Sequence, residues 1–501
     1  MRLEDHIPTP GRTVLTRREA LFKCGLGFAG LGLADLLAGS GWLQAAEPSA
    51  AKAGNAGAAA GGASNPLAPK APHFAAKAKR VLHIFPEGGP SHLDTFDPKP
   101  TLEKYHGRNV RDVIPDYDKN APKAAVEMNR LGGTLAKSGF KFEKRGKSGI
   151  EVSELFPRLS AHIDDLAVIR SMTAKSSVHE LAQLFMNCGE ATVVRPSVGS
   201  WVTYGLGTVN QNLPAFVALS QGGLASGDKH WTSAFLPGYC GGTSIYTRDM
   251  SVEKMIENIR SRHATPSAQR RQLDLLAEMN RRHQERRGRE DFLASRINAF
   301  ETAYRMQSEA GDAFDISKEP QSVRDAYGDT PQGRQLLLAR RLLERGVRFV
   351  QAWHGGWDSH SYNDRDQKTR ASECDQPLAA LLADLKSKGM FEDTLVVWAG
   401  EFGRTPTVDI NDPSRTGVGR DHNAGGFTVW MAGAGVRGGY AHGATDDFGA
   451  VAVDGKMDVH DLHATVLHLL GFDHTRLTFR YAGRDFRLTD VHGHVVKELL
   501  A

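Results

Sequence analysis

Six short apolar runs constrain what this chain can fold into more than any other feature. They are Arg80–Phe85, Leu166–Ile169, Ala215–Leu219, Val347–Trp353, Thr394–Trp398 and Phe427–Met431. Each is bounded by Gly, Pro or polar residues, is rich in Val, Ile, Phe or Trp, and is nearly continuous rather than alternating. Strands that read this way are buried on both faces. Helical periodicity lies between or after them at Gln332–Arg345, Gln376–Lys388 and Val459–Leu470. Strand–helix alternation with short connections predicts an α/β fold built on a doubly wound, mostly parallel sheet. From about 250 to 320 the pattern changes to long charged helices, clearest at Gln269–Arg282 and Asp291–Met306. We read this stretch as a helical insertion packed on the sheet domain, with the Arg-rich run Arg281–Arg289 as a solvated face.

The beginning of the chain has a different character. Arg17-Arg18 precede a mildly apolar stretch, Gly25–Leu43, that ends in Ala45-Ala46. A charged start, a weakly apolar middle and small residues at the end predict a cleavable signal peptide over 1–46, and the arginine pair marks it as twin-arginine type. Residues 47–76 are Ala, Gly, Ser, Pro and Lys with almost no large apolar groups, which predicts a flexible tether. The folded domain is then expected from 77 to 501, periplasmic or secreted. No apolar run after residue 46 is long enough to span a membrane. With 62 Lys+Arg against 58 Asp+Glu, a concentrated basic face for nucleic acid is not expected. The four Cys cannot make a disulfide framework, and Cys24 falls in the signal segment.

In an open parallel sheet, ligands bind beyond the carboxyl ends of the strands. The first run is followed by Pro86-Glu87-Gly88-Gly89. The fourth leads into His354-Gly355-Gly356-Trp357-Asp358-Ser359-His360. The fifth leads into Gly400-Glu401-Phe402-Gly403-Arg404, and a loop later comes Gly419-Arg420-Asp421-His422. Singly, these are turn residues or ion pairs as readily as ligands. Together they place carboxylates and imidazoles at one end of several strands. Glu87, His354, Asp358, His360, Glu401, Asp421 and His422 are therefore the candidate ligands for one or two divalent ions. Zinc, manganese or iron suit mixed Asp/Glu/His ligation and calcium prefers oxygen alone; the sequence leaves these four open. After Leu166–Arg170, Ser176 and Ser177 precede a helix expected at Glu180–Asn187. Either serine is an N-cap or a nucleophile. Arg404 is a candidate for gripping an ester oxygen, and His179 for orienting substrate or acting as an acid.

The order of these elements resembles the alkaline phosphatase-like superfamily of phosphatases, sulfatases, phosphodiesterases and phosphomutases. Val459–Gly471 looks like the helix that closes many sulfatase-like domains. More closely, the chain resembles a secreted, planctomycete-type bacterial family, domain of unknown function 1501. The resemblance is carried by GGPSHLDTFDPKP (Gly88–Pro100), GIEVSELFP (Gly149–Pro157), AQLFMNCG (Ala182–Gly189), RPSVGSWVTYGLG (Arg195–Gly207), GEFGRTP (Gly400–Pro406), GRDHN (Gly419–Asn423) and GRDFRLTDVHG (Gly483–Gly493).

It implies an alkaline phosphatase-like fold and metal-assisted chemistry on esters. Departures are informative: no Cys or Ser opens a C/S-x-P-x-R motif, which excludes a formylglycine sulfatase. Glu87 stands where the superfamily usually has Asp, and the Asp358/His360 spacing is tight. The expectation is a metal-dependent hydrolase acting on a phosphate or sulfate ester of a small molecule or saccharide. The competing expectation is a non-catalytic secreted binding or scaffold protein that keeps the fold.

Overall fold

The computed structural model describes residues 65–113, 133–223, 227–256, 259, 265–288, 291–408 and 418–501. The expected signal peptide and residues 47–64 of the expected tether lie outside them. Residues 65–76, also expected as tether, are held by the folded unit. Thr208 N–H donates to Leu67 O at 2.9 Å, Lys70 N–H to Leu206 O at 2.9 Å, and His73 N–H to Gly471 O at 2.9 Å. His73 and Phe74 add ring contacts with Phe472 and His468. Composition missed this because the anchoring is mostly through backbone groups, which carry no sequence signal.

All six apolar runs are strands of one sheet. They are β1 (Arg80–Pro86), β2 (Leu166–Thr173), β3 (Phe216–Ser220), β5 (Phe349–His354), β6 (Thr394–Trp398) and β9 (Phe427–Ala432). Three shorter strands, β4 (Thr243–Tyr246), β10 (Tyr440–His442) and β11 (Met457–Asp458), complete it. A hairpin of β7 (Gly403–Val408) and β8 (Arg420–Asn423) stands apart. The sheet order is β10-β2-β9-β6-β1-β5-β3-β4, with β11 also on β2. Pairing is parallel except at β9, which runs antiparallel to both β2 and β6.

Strand β1 shows why the runs are continuous. Leu82 and Ile84 enter the core on one face with Leu336 and Leu342 of α4 (Pro331–Glu344) and Leu378 and Leu381 of α5 (Asn363–Ser387). Val81 and Phe85 enter the other core with Phe185 and Met186 of α1 (His179–Cys188) and Leu462 and Val466 of α6 (Val459–Leu469). Both faces are covered, so neither strand position is left for a polar residue except where one is satisfied by neighbours.

The stretch expected as a helical insertion contains α2 (Pro266–Arg287) and α3 (Asp291–Ala313). Arg270 clamps Glu301 with two bonds of 2.9 and 2.7 Å, tying α2 to α3. Met306, Ala310 and Ala313 of α3 join the α4–α5 core. Arg281 pairs with Glu278 and Glu285 of its own helix, consistent with a solvated face. Among the described residues, Cys188, Cys240 and Cys374 are free and buried. No described helix is long and apolar enough to cross a membrane.

Candidate metal centre

The carboxyl ends of β1, β2, β5 and β6 meet the β7–β8 hairpin, and their loops bring four ligand-type side chains together. Asp358 and His360 follow β5. His179 opens α1 after β2, and His422 lies on β8, whose register sets it opposite Arg404. The loops approach very closely. Gly88, at φ +108°, leaves no room for a side chain: a Cβ there would lie 2.4 Å from Asp358 N. Glycine is required both for that dihedral and for that contact.

His179, Asp358, His360 and His422 each offer a ligand atom, and these atoms lie within 4.8 Å of one another. His360 Nε2 and His422 Nε2 are 2.9 and 3.3 Å from Asp358 Oδ1 and 2.9 Å from each other. His179 Nε2 is 3.4 Å from Asp358 Oδ2 without hydrogen-bond alignment. A metal with bonds of about 2.0–2.1 Å sets neighbouring ligand atoms about 2.9 Å apart in octahedral and about 3.4 Å apart in tetrahedral geometry. Four of the separations lie in that range and the whole group lies within 4.8 Å, so small side-chain movements bring these residues to the spacing of a divalent ion's ligands. Two imidazole nitrogens facing each other at 2.9 Å also need a shared proton or a shared cation.

The electrostatics point the same way. Burial works against an ionised Asp358, but His179, His360, His422 and Arg404 outweigh it and hold its pKa far below the ordinary range. Burial also opposes a charged His179, yet its contacts with Asp358 and Glu401 push its pKa up to about 9. Burial, with Arg404 and His179 adding to it, moves His422 down despite Asp358. One carboxylate thus faces a ring of groups competing to be its cation, an arrangement a divalent ion would relieve. Outside the ring, His179 Nδ1 is 2.8 Å from Glu401 Oε1, and His422 Nδ1 is 2.7 Å from Ser177 O. A carboxylate or carbonyl on the second imidazole nitrogen fixes which nitrogen faces inward.

The remaining expected residues are placed differently. Glu401 is fully buried and accepts from Gly88 N at 2.9 Å and Gln183 Nε2 at 3.3 Å, supporting His179 from behind. Glu87 is outside the four-residue group, with Gln183 Nε2 3.5 Å away. His354 is turned aside: its Nε2 contacts Glu373 Oε2 at 3.0 Å and its Nδ1 accepts from Trp357 Nε1 at 3.2 Å. Of His354 and His360, the four-residue group contains His360.

Asp421 Oδ1 accepts from His422 N at 2.7 Å and shapes the turn rather than joining the ring. Arg404 does not present a fork to solvent. It is fully buried, donating from Nε to Gly89 O at 2.9 Å, from Nη1 to Arg420 O at 3.1 Å, and from Nη2 to Gly88 O and to Asp358 Oδ1 at 2.7 Å. It braces the loops. Ser176 Oγ accepts from Val178 N at 3.1 Å, and the N-cap of α1 is Val178, so neither serine caps the helix.

Gln183, which bridges Glu401 and Glu87, was not expected. Its signal is visible in hindsight. His179, Gln183 and Asn187 recur every fourth residue and form a polar stripe on a helix whose other residues, Glu180 apart, are apolar.

Similar solved structures include the PsFucS1 sulfatase from Pseudoalteromonas sp., with 13% identity over 85% of this chain and 72% of that one and a TM-score of 0.36. Lipoteichoic acid synthase LtaP from Listeria monocytogenes has 9% identity over 81% and 77%, with a TM-score of 0.36. Alkaline phosphatase from the Antarctic bacterium TAB5 has 11% identity over 72% and 92%, with a TM-score of 0.29. At these TM-scores the likeness bears on neither activity nor site. No curated protein matches the sequence. Residues 78–500 match the model of the family described as "Protein of unknown function (DUF1501)", and the chain belongs to that family.

Proposed function

We propose that this protein is an exported, metal-dependent hydrolase of phosphate or sulfate esters, acting on a small-molecule or saccharide ester. The observation that carries the reading is the convergence of His179, Asp358, His360 and His422 on one point. These four residues would hold one divalent ion. Bound there, the ion would supply Lewis-acid stabilisation of charge developing on the ester oxygens. The chain's own groups do the rest. Arg404 fixes Asp358 and the Gly88-Gly89 turn, and Glu401 orients His179. Ser176, Ser177 or a water supplies the attacking oxygen. The Arg17-Arg18 segment supports export to the periplasm or beyond.

The test is a screen of phosphate and sulfate monoesters with protein loaded in turn with zinc, manganese, iron and calcium. Turnover that needs an added ion and disappears in Asp358→Ala is the expected result. A correctly folded, metal-loaded protein that turns over no ester would leave the binding or scaffold role as the better account.

A further inference from the structure

Glu87 is separate from the four-residue ring, yet it adjoins both the ring's supporting carboxylate and a hollow of about 620 Å³. The hollow lies beyond the carboxyl ends of β3 and β5, next to β1 in the sheet. Its walls include Ser220, Gln221, Trp353, Thr369 and Arg370. Arg365 and Asp366 line it too, paired with each other at 2.8 Å, and Arg370 is paired with Glu373 at 2.8 Å, so with both guanidinium groups neutralised the hydroxyls and the amide suit a hydroxyl-bearing aliphatic group. Gly355 and Gly356 separate Glu87 from Arg370. A Cβ on Gly355 would come 3.1 Å from Glu87 Oε2, and one on Gly356 would come 3.1 Å from Arg370 Cδ.

Glu87 and Glu401 share the Gln183 amide but differ in what else they accept. Glu401 also takes the Gly88 N–H and His179 Nδ1, groups that favour an ionised carboxylate. Among the described residues, the Glu87 carboxylate has only the long Gln183 contact, at 3.5 Å. When two carboxyl groups sit side by side in a desolvated site, the one with fewer donors keeps the proton. Burial, then Glu401, holds Glu87 above the ordinary range.

We propose that Glu87 is the general acid of this site, protonating the bridging oxygen of an ester whose polar aliphatic alcohol occupies the hollow. The proposal rests on the ester-hydrolase reading above. As the P–O or S–O bond to the alcohol breaks, its electron pair passes to the bridging oxygen. That oxygen takes the Glu87 proton and leaves as the free alcohol. Water supplies the oxygen added to the phosphate or sulfate, and the proton it releases restores the Glu87 carboxyl. An alkoxide is a poor leaving group, so such a substrate needs this proton, whereas a nitrophenolate leaves without it.

The experiment compares Glu87→Gln and Glu87→Asp with wild type on two esters of whichever acid is turned over: the p-nitrophenyl ester and the glycerol ester. In Glu87→Gln the loss of kcat/KM on the glycerol ester should exceed the loss on the nitrophenyl ester by about 100-fold. Metal content should match wild type, and Glu87→Asp should recover part of the glycerol-ester rate. Equal losses on both esters, with or without loss of metal, would overturn the proposal. Wild type inactive on every ester would instead bring down the parent reading, and the state of the wild-type enzyme tells the two failures apart.

Discussion

Replacing Arg404 tests whether its guanidinium is a brace. Arg404→Met keeps most of the buried volume and removes donors to three backbone carbonyls, those of Gly88, Gly89 and Arg420, together with the contact to Asp358. A buried acceptor left without its donor costs roughly 1–3 kcal/mol. The Asp358 side chain is 42% exposed and keeps its three imidazole neighbours, so loss of that ion pair adds little. Allowing for relaxation of the Gly88-Gly89 turn, the loss comes to about 3–5 kcal/mol. With a urea m-value of roughly 4 kcal/mol/M for a unit of this length, the midpoint should fall by about 1 M. Arg404→Lys should lose most of the same stability, because an ammonium cannot reach the two carbonyls of the Gly88-Gly89 turn and that of Arg420 on β8 together. Urea unfolding followed by circular dichroism reads both variants. A wild-type midpoint in Arg404→Met, accompanied by lost ester hydrolysis, would refute the brace and return Arg404 to a substrate-gripping role.

Two further predictions concern the frame of the site. Gly88→Ala forces a Cβ to 2.4 Å from the backbone of Asp358 at φ +108°, which no side-chain rotation relieves; a loss of about 2 kcal/mol or more and weakened metal binding are expected, and wild-type values for both would contradict the close approach. His83 is buried and neutral, with Nε2–H donating to Ala399 O at 3.1 Å and Nδ1 accepting from Gln351 at 3.0 Å. Burial lowers its pKa to about 4 despite the Ala399 bond. The unfolded chain takes up this proton near pH 6.5 and the folded chain not until about pH 4, so stability must fall as pH drops through that window. At pH 5 this amounts to about 2 kcal/mol from His83, read as the urea midpoint of metal-free protein at pH 7.5 and 5. The pH dependence should shrink in His83→Gln, and an unchanged dependence would show that His83 is not the group titrating.

Much of the fold was legible because both faces of the sheet are covered. A strand such as β1 must be apolar at nearly every position, so it stands out from its surroundings in a single sequence. Strand direction leaves no such mark, and the antiparallel β9 reads like its parallel neighbours. Edge strands β4 and β10 are short and partly exposed, and their pattern was too weak to notice. Helix α5 was expected from Gln376 but begins at Asn363. Pro377 suggests a helix start, since proline is favoured in a first turn. Here it lies inside the helix, and the polar half before it gave no apolar period.

The same limit governs the site. The sequence marked the loops that meet, because carboxylates and imidazoles follow strand ends. It did not show which member of each pair turns inward. That His360 and His422 lie in the four-residue group, and His354 and Asp421 outside it, goes with side-chain contacts to Glu373 and Trp357 and with the β7–β8 register, none of which shows in the pattern of residue types. Arg404 was noticed for its charge, but its burial among carbonyls of distant loops decides what it does. The motifs from Gly88 to Gly493 fall inside the segment that matches the family model.

His179, Asp358, His360 and His422 are proposed to hold a divalent ion. Elemental analysis of protein purified without added metal or a nickel column, followed by metal titration, tests it most directly. About one equivalent of a divalent metal is expected, either retained on purification or taken up on titration, and lost in Asp358→Ala and in His422→Ala while both variants stay folded. Wild-type protein that carries no metal and takes none up, or variants that hold as much as wild type, would contradict it.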